Sequence, residues 1–224
     1  MAMLRPLGIM PGKKFNPTKE QKAIFEEAAL VGEAMARANS YEKRFEGARL
    51  WEGKHWEKAL FITDTDQDLE THTQLDERAS WFYEAIGVTD GMMGKMVDAG
   101  QVYLEAQKDS DGEWLDGGKN YMLRVPADAP VKQFWSVTLY DNDDRCLIDT
   151  GEFPDKSSRM DLALNKDGSV DLYFGPRPPK NGSKRNWVKT VPGEGWFTYF
   201  RFYAPTQPYF DKTWQLPDFK KIAN

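Results

Sequence analysis

Apolar residues recur at steps of four and three early in the chain. Ile24, Ala28, Val31, Met35 and Ala38 fall on one face of a helix. Asn16-Pro17 precedes them, with Asn suited to cap a helix and Pro suited to open it. Asn39-Ser40 marks a stop. A second, weaker helix is expected over residues 41–51, ended by Gly53. Leu75, Ala79, Phe82, Tyr83 and Ile86 form another helical face, which Gly87 closes. Thr89 or Asp90 then caps a short helix carrying Met92, Met93, Met96 and Val97, and Gly100 ends it.

Near residue 101 the period changes from 3.6 to 2. Short alternating runs are expected as strands at 102–107, 121–125, 134–141, 145–150, 170–175 and 196–203. Clusters of Gly, Pro, Asp and Asn separate them. The pattern predicts an α+β fold: a helical segment over 1–98, then an antiparallel, jelly-roll-like β-sandwich over 99–224. The last stretch, with Pro205, Pro208 and Pro217, reads as an extended tail wrapping the sandwich.

Two strands carry aromatics on both sides. In 134–141, Trp135, Val137 and Leu139 share one side, and Phe134, Ser136, Thr138 and Tyr140 the other. In 196–203, Trp196, Phe200 and Phe202 oppose Phe197, Tyr199, Arg201 and Tyr203. One side can face the sandwich interior. The other needs cover from the helical half, the tail, a ligand or another subunit, and cover from within the chain is the default.

Composition narrows the partners. Aromatics make up 13% of the chain, enough for a large strand-based core. A net charge of −5 argues against nucleic acid and against an anionic membrane surface. No apolar run is long enough to span a membrane. The N-terminal stretch lacks the apolar core of a signal peptide. The lone cysteine, Cys146, excludes an internal disulfide. A cytoplasmic location is expected, with the periplasm left open if a signal peptide was removed.

Each candidate for chemistry meets a plainer reading. The run DTDQDLETH at 64–72 places Asp64, Asp66 and Asp68 as a calcium loop would. That loop also needs Gly at its sixth position and Glu at its twelfth, where this chain has Leu69 and Leu75. The run is better read as the acidic approach to the helix starting at Leu75, with Asp or Thr capping it. His55 and His72 lack the spacing of a zinc site. Cys146 reads as a small packed residue in a strand. GEWLDGGKN at 112–120 departs from a phosphate loop at Glu113 and Asn120, and reads as a hairpin connection. Arg177, Lys180, Lys184 and Arg185 sit in a Pro-rich loop that is better read as solvated than as an anion grip. No metal site and no cofactor is expected.

The segments LDGGKNYMLRVPADAPVKQFWSVTLYD (115–141), DGSVDLYFGP (167–176), NWVKTVPGEGWF (186–197), RFYAP (201–205) and FDKTW (210–214) resemble one bacterial family. Its members join a domain of unknown function 1254 to a C-terminal domain of unknown function 1214. The resemblance is to the second domain, over about residues 70–224, with LDERASWFYEAIGVTDGMMGKMV (75–97) similar to its helical lead-in. It implies helices followed by a jelly-roll sandwich, and no established reaction. The family's N-terminal β domain would precede Leu7. Without it a normally covered surface would be exposed, and self-association or a separate β-domain partner would cover it.

Two functions stay open. One is a cleft between helices and sandwich that binds or acts on a small molecule, with Asp76, Arg78, Tyr83, Tyr103 and Lys119 as its expected lining. The other is a non-catalytic carbohydrate-binding or assembly module, with Trp135 or Trp196 stacking on sugar.

Overall fold

A computed structural model describes residues 2–63, 65–85 and 87–223, with side chains from Leu4 onward. Asp64 of the acidic run and Ile86 of the expected helical face lie outside the described residues.

The chain is α+β. Its helical part comprises α1 (Lys19–Tyr41), α2 (Leu75–Glu84) and α3 (Asp90–Met93), with the two-residue strand β1 (Glu57–Lys58) between the first two. Then follow β2 (Gln101–Ala106), β3 (Asn120–Val125), β4 (Val131–Asp141), β5 (Asp155–Ser157), β6 (Val170–Gly175), β7 (Trp187–Lys189) and β8 (Trp196–Pro205). A short helix α4 (Gln207–Phe210) and the strand β9 (Lys220–Ile222) close the chain.

The strands form two sheets, ordered β1-β2-β8-β4-β5 and β7-β6-β3-β9. All neighbours are antiparallel except β6 and β7. Alternation decides what lies between the sheets. Trp196, Phe200 and Phe202 of β8, with Leu104 of β2 and Val137 of β4, enter one core with Tyr121 and Leu123 of β3 and Leu172 and Phe174 of β6. The tail adds Leu216 and Phe219 to the same core. Trp135 and Trp196 are buried there, so neither can stack on a sugar.

Several local expectations fail: α3 stops at Met93, short of Met96, Val97 and Gly100, and three others fail for a clear physical reason. The cap of α1 is Thr18, not Asn16, and a reciprocal box with Gln21 satisfies both cap donors. Residues 41–51 form no second helix, because α1 runs on to Tyr41 and the chain then turns to bury Ala48, Leu50 and Trp51. Residues 145–150 form no strand. Asp141 accepts from the backbone N–H groups of Asp143 and Asp144, and Arg145 adopts a positive φ of 61°. This tight turn leaves Cys146 exposed rather than packed, and the short β5 takes the edge position instead.

The helical faces also differ from expectation. Ile24, Val31 and Met35 of α1 are 56%, 51% and 58% exposed, and within the helix only Ser40 and Tyr41 are buried. Helix α2 buries Ser80 and Trp81 while Phe82 stays 71% exposed. What α2 turns inward is the side that carries Glu84, whose partners are described next.

Candidate functional site

The outer face of the five-stranded sheet is built by register. Arg201 on β8 lies opposite Tyr103 on β2 and Ser136 on β4. Tyr199 lies opposite Glu105 and Thr138. The same alternation that buries Phe200 and Phe202 therefore lines up a polar and aromatic row on the other side. Helix α2 lies over this row with Trp81 and Glu84, and the turn after β4 brings in Arg145.

Under that cover is a buried charge network. Glu84 and Glu105 have side chains that are 1% and 0% exposed. Lys43 is ion-paired to both, at 3.1 Å from Glu84. Arg145 lies 3.9 Å from each carboxylate, with its guanidinium 4.4 Å from the Phe197 ring centre and 5.0 Å from that of Tyr41. Two carboxylates are thus matched by two cations, as a low-dielectric site requires. Tyr199 donates to Glu84 and accepts from Arg145. Burial, and then the Glu84 charge, hold its phenol well above the ordinary tyrosine value, with Arg145 opposing. Glu57, beside the network on β1, is pushed up by burial, with Lys43 opposing.

Between α2 and the sheet lies a cavity of about 170 Å³. Trp81, Glu84, Tyr103, Tyr140, Arg145 and Arg201 are among its lining. Arg201 donates to Thr138 Oγ1 at 2.9 Å and to the Tyr140 hydroxyl. Its guanidinium lies 5.2 to 5.7 Å from the ring centres of Tyr103, Tyr140 and Tyr199. Burial works to lower its pKa, and the Tyr140 hydrogen bond with the tyrosine neighbours more than offsets this. Among the described residues no Asp or Glu is ion-paired to it, in contrast to Arg145.

A second cavity, of about 320 Å³, shares Trp81 and Tyr103 with the first. Leu60, Met92, Val102 and Tyr209 give it apolar walls, and Lys58 and Lys95 also line it. Burial lowers the pKa of both lysines, and the charges of Lys95 and Lys212 lower that of Lys58 further. The buried indole N–H of Trp81 has no hydrogen-bond partner among the described residues.

The five residues expected at the cleft separate. Tyr103 lines both cavities. Tyr83 lies beside the network, its ring centre 6.4 Å from that of Tyr41 and 5.9 Å from the Arg145 guanidinium. Asp76 is exposed in the first turn of α2. Arg78 ties α2 to the preceding loop through the Gln67 side chain and the Asp66 carbonyl. Lys119 pairs with Asp116 at 3.2 Å in the connection between β2 and β3, among neither cavity's lining. Sequence reasoning passed over Trp81, Glu84, Arg145 and Arg201. The one visible signal was Tyr199 and Arg201 sharing a side of an aromatic strand.

The other motifs have structural roles. In the acidic run, Thr73 donates to Asp68, and Gln74, not Asp or Thr, is the cap residue of α2. The Gln74 side chain accepts from Thr63 rather than from the helix, so α2 has no side-chain cap. Among the described residues no three His, Cys, Asp or Glu converge to hold a metal. The N–H groups of Gly117 and Gly118 donate to Glu194 and Asp116, so this turn does not present them to a phosphate. His55 grips Asp218 of the tail. Among the described residues no helix is long and apolar enough to cross a membrane.

No curated protein matches the chain. The crystal structure of the VPA0106 protein from Vibrio parahaemolyticus is similar over 98% of this chain and 49% of that one, at 20% identity and a TM-score of 0.52. An uncharacterized protein from Burkholderia cenocepacia aligns over 99% of this chain and 48% of its own, at 14% identity and a TM-score of 0.38. The chain thus spans about half the length of these solved structures, 49% and 48%. The first likeness is one of fold. Residues 100–207, the C-terminal part of the chain that supplies the strands β2, β4 and β8 beneath the cavity, match the family model described as protein of unknown function DUF1214.

Proposed function

We propose that the chain binds a small molecule between α2 and the outer face of the five-stranded sheet. One observation carries this reading. A smaller cavity lined by Arg201 and Arg145 and a larger one lined by Leu60 and Met92 adjoin through Trp81 and Tyr103. An apolar hollow with a few fixed polar groups is the usual form of a small-molecule site. The buried network beneath it fixes the position of α2 and so of Trp81.

A fragment screen by thermal shift tests this, run on the natural chain and on Ala59→Leu. Ala59 is buried and lines the smaller cavity, so the larger side chain occupies ligand space. Fragments should raise the melting temperature of the natural chain and lose that effect in the variant. Equal shifts in both, or none in either, would count against the reading.

A second reading is assembly with another copy of the chain. The exposed stripe of Ile24, Val31 and Met35 on α1 favours it, since contiguous exposed apolar surface marks association. Sedimentation should then show an oligomer that Met35→Glu dissociates. A monomer at all concentrations would eliminate this reading.

A further inference from the structure

We propose that the ligand is a carboxylate with an apolar body, and that Arg201 receives its charged end. The inference rests on the reading that the cavity holds a small molecule. Charge matching is the first argument. Glu84 and Glu105 are matched by Lys43 and Arg145, while Arg201 sits on the same face with only hydroxyl and ring partners. A half-buried cation without a counter-ion is costly, and an anion that enters removes that cost.

Donor geometry is the second argument. A guanidinium carries five N–H donors in a planar fork. Those to Thr138 and Tyr140 use one on each terminal nitrogen. A carboxylate is planar, carries two acceptor oxygens and is the natural partner of such a fork. The buried indole N–H of Trp81, which can only donate, also lacks an acceptor in this same lining.

Charge number and shape narrow the class. One unmatched guanidinium suits a single negative charge better than a phosphate dianion. The adjoining cavity, lined by Leu60, Met92, Val102 and Tyr209, suits a short alkyl chain or a ring. The competing anchors are Lys58 and Lys95 in that second cavity. Lys58 already donates to the Gly47 carbonyl at 2.8 Å and lies over the Phe61 ring. Lys95 is therefore the lysine that the test must separate from Arg201.

The test is calorimetric titration with butyrate, hexanoate and benzoate, each against its own amide, and with phenylphosphonate. The acids should bind at least about tenfold more tightly than the amides, the size expected for a charge-assisted hydrogen bond. Phenylphosphonate should bind more weakly than benzoate. Arg201→Lys keeps the charge but loses the fork, and should weaken acid binding by a similar factor. Lys95→Met removes the competing cation, and the acids should keep their roughly tenfold preference over the amides in it, since Arg201 still holds the carboxylate. The comparison of acid with amide needs no variant, so it stands even if Arg201→Lys fails to fold. Equal binding of acids and amides would overturn the ligand class while leaving the cavity reading intact. Loss of the preference for acid over amide in Lys95→Met alone would also overturn it, by moving the anchor. Binding by neither acids nor amides would overturn the proposal, and the fragment screen then decides whether the cavity reading falls with it.

Discussion

Tyr199 on β8 donates its phenol hydrogen to Glu84 Oε1 at 2.6 Å, joining the five-stranded sheet to α2. The same Glu84 is ion-paired to Lys43 just beyond the end of α1, so one carboxylate holds both helices to the sandwich. Replacing it by the neutral Glu84→Gln leaves Lys43 and Arg145 facing Glu105 alone. Removing one partner of a buried charge pair costs about 3–5 kcal/mol. Tyr199→Phe keeps both charges and should cost less, about 1.5–3 kcal/mol for a hydrogen bond to a charged group. Denaturant unfolding measures both. A loss below about 0.5 kcal/mol for Glu84→Gln, the range of ordinary surface changes, would show that the network contributes little.

Glu57 gives a pH dependence of known sign. Burial raises its folded pKa above the ordinary 4.5, with Lys43 opposing. The native state then holds this proton more tightly than the unfolded chain does. Its contribution to stability is greatest at low pH and falls as pH rises from about 4.5 through the raised folded value. Glu57→Gln removes that fall and keeps an oxygen for the Lys43 N–H, 3.3 Å away. The variant should melt higher than the natural chain at neutral pH, and the difference should shrink in acid. Parallel melting curves across the pH series would contradict this.

Gly117 tests the tightest backbone contact in the connection between β2 and β3. A Cβ there would lie 2.0 Å from the Val191 carbonyl oxygen, a backbone atom that cannot step aside. Gly117→Ala should cost about 1–3 kcal/mol, as overpacking usually does. Because Lys119 in the same turn is not in the lining of either cavity, fragment binding should persist at temperatures where the variant is folded. Lost binding in a folded variant would tie this turn to the site.

Legibility followed the distance between partners. The outer row of β8 could be read because alternation is local, and pairing on both edges by β2 and β4 enforces it over Tyr199, Arg201 and Tyr203. The faces of α1 and α2 could not. A helical stripe says which residues lie together, not what covers them. For α2 the outcome depended on Lys43, Arg145 and Tyr199, which lie in three separate segments distant from it in the chain. The run at 145–150 has strand-like composition, but Asp141 accepts two backbone N–H groups and turns the chain before a strand can form. Tyr103 is legible at the junction from its segment alone. Arg201 stood in plain view, yet its lack of a carboxylate partner becomes visible only once three strands are in register.

Methionine-methyl NMR tests the central claim most directly, because it reports where a ligand sits. Met92 lines the apolar cavity beside Trp81 and Tyr103, whereas Met160 is exposed beyond the short strand β5 and lines neither cavity. With the chain labelled at its methionine methyls and titrated with the fragments that raise its melting temperature, the Met92 signal should move and saturate while that of Met160 stays in place. A Met92 signal unmoved by every such fragment would contradict a ligand site between α2 and the sheet.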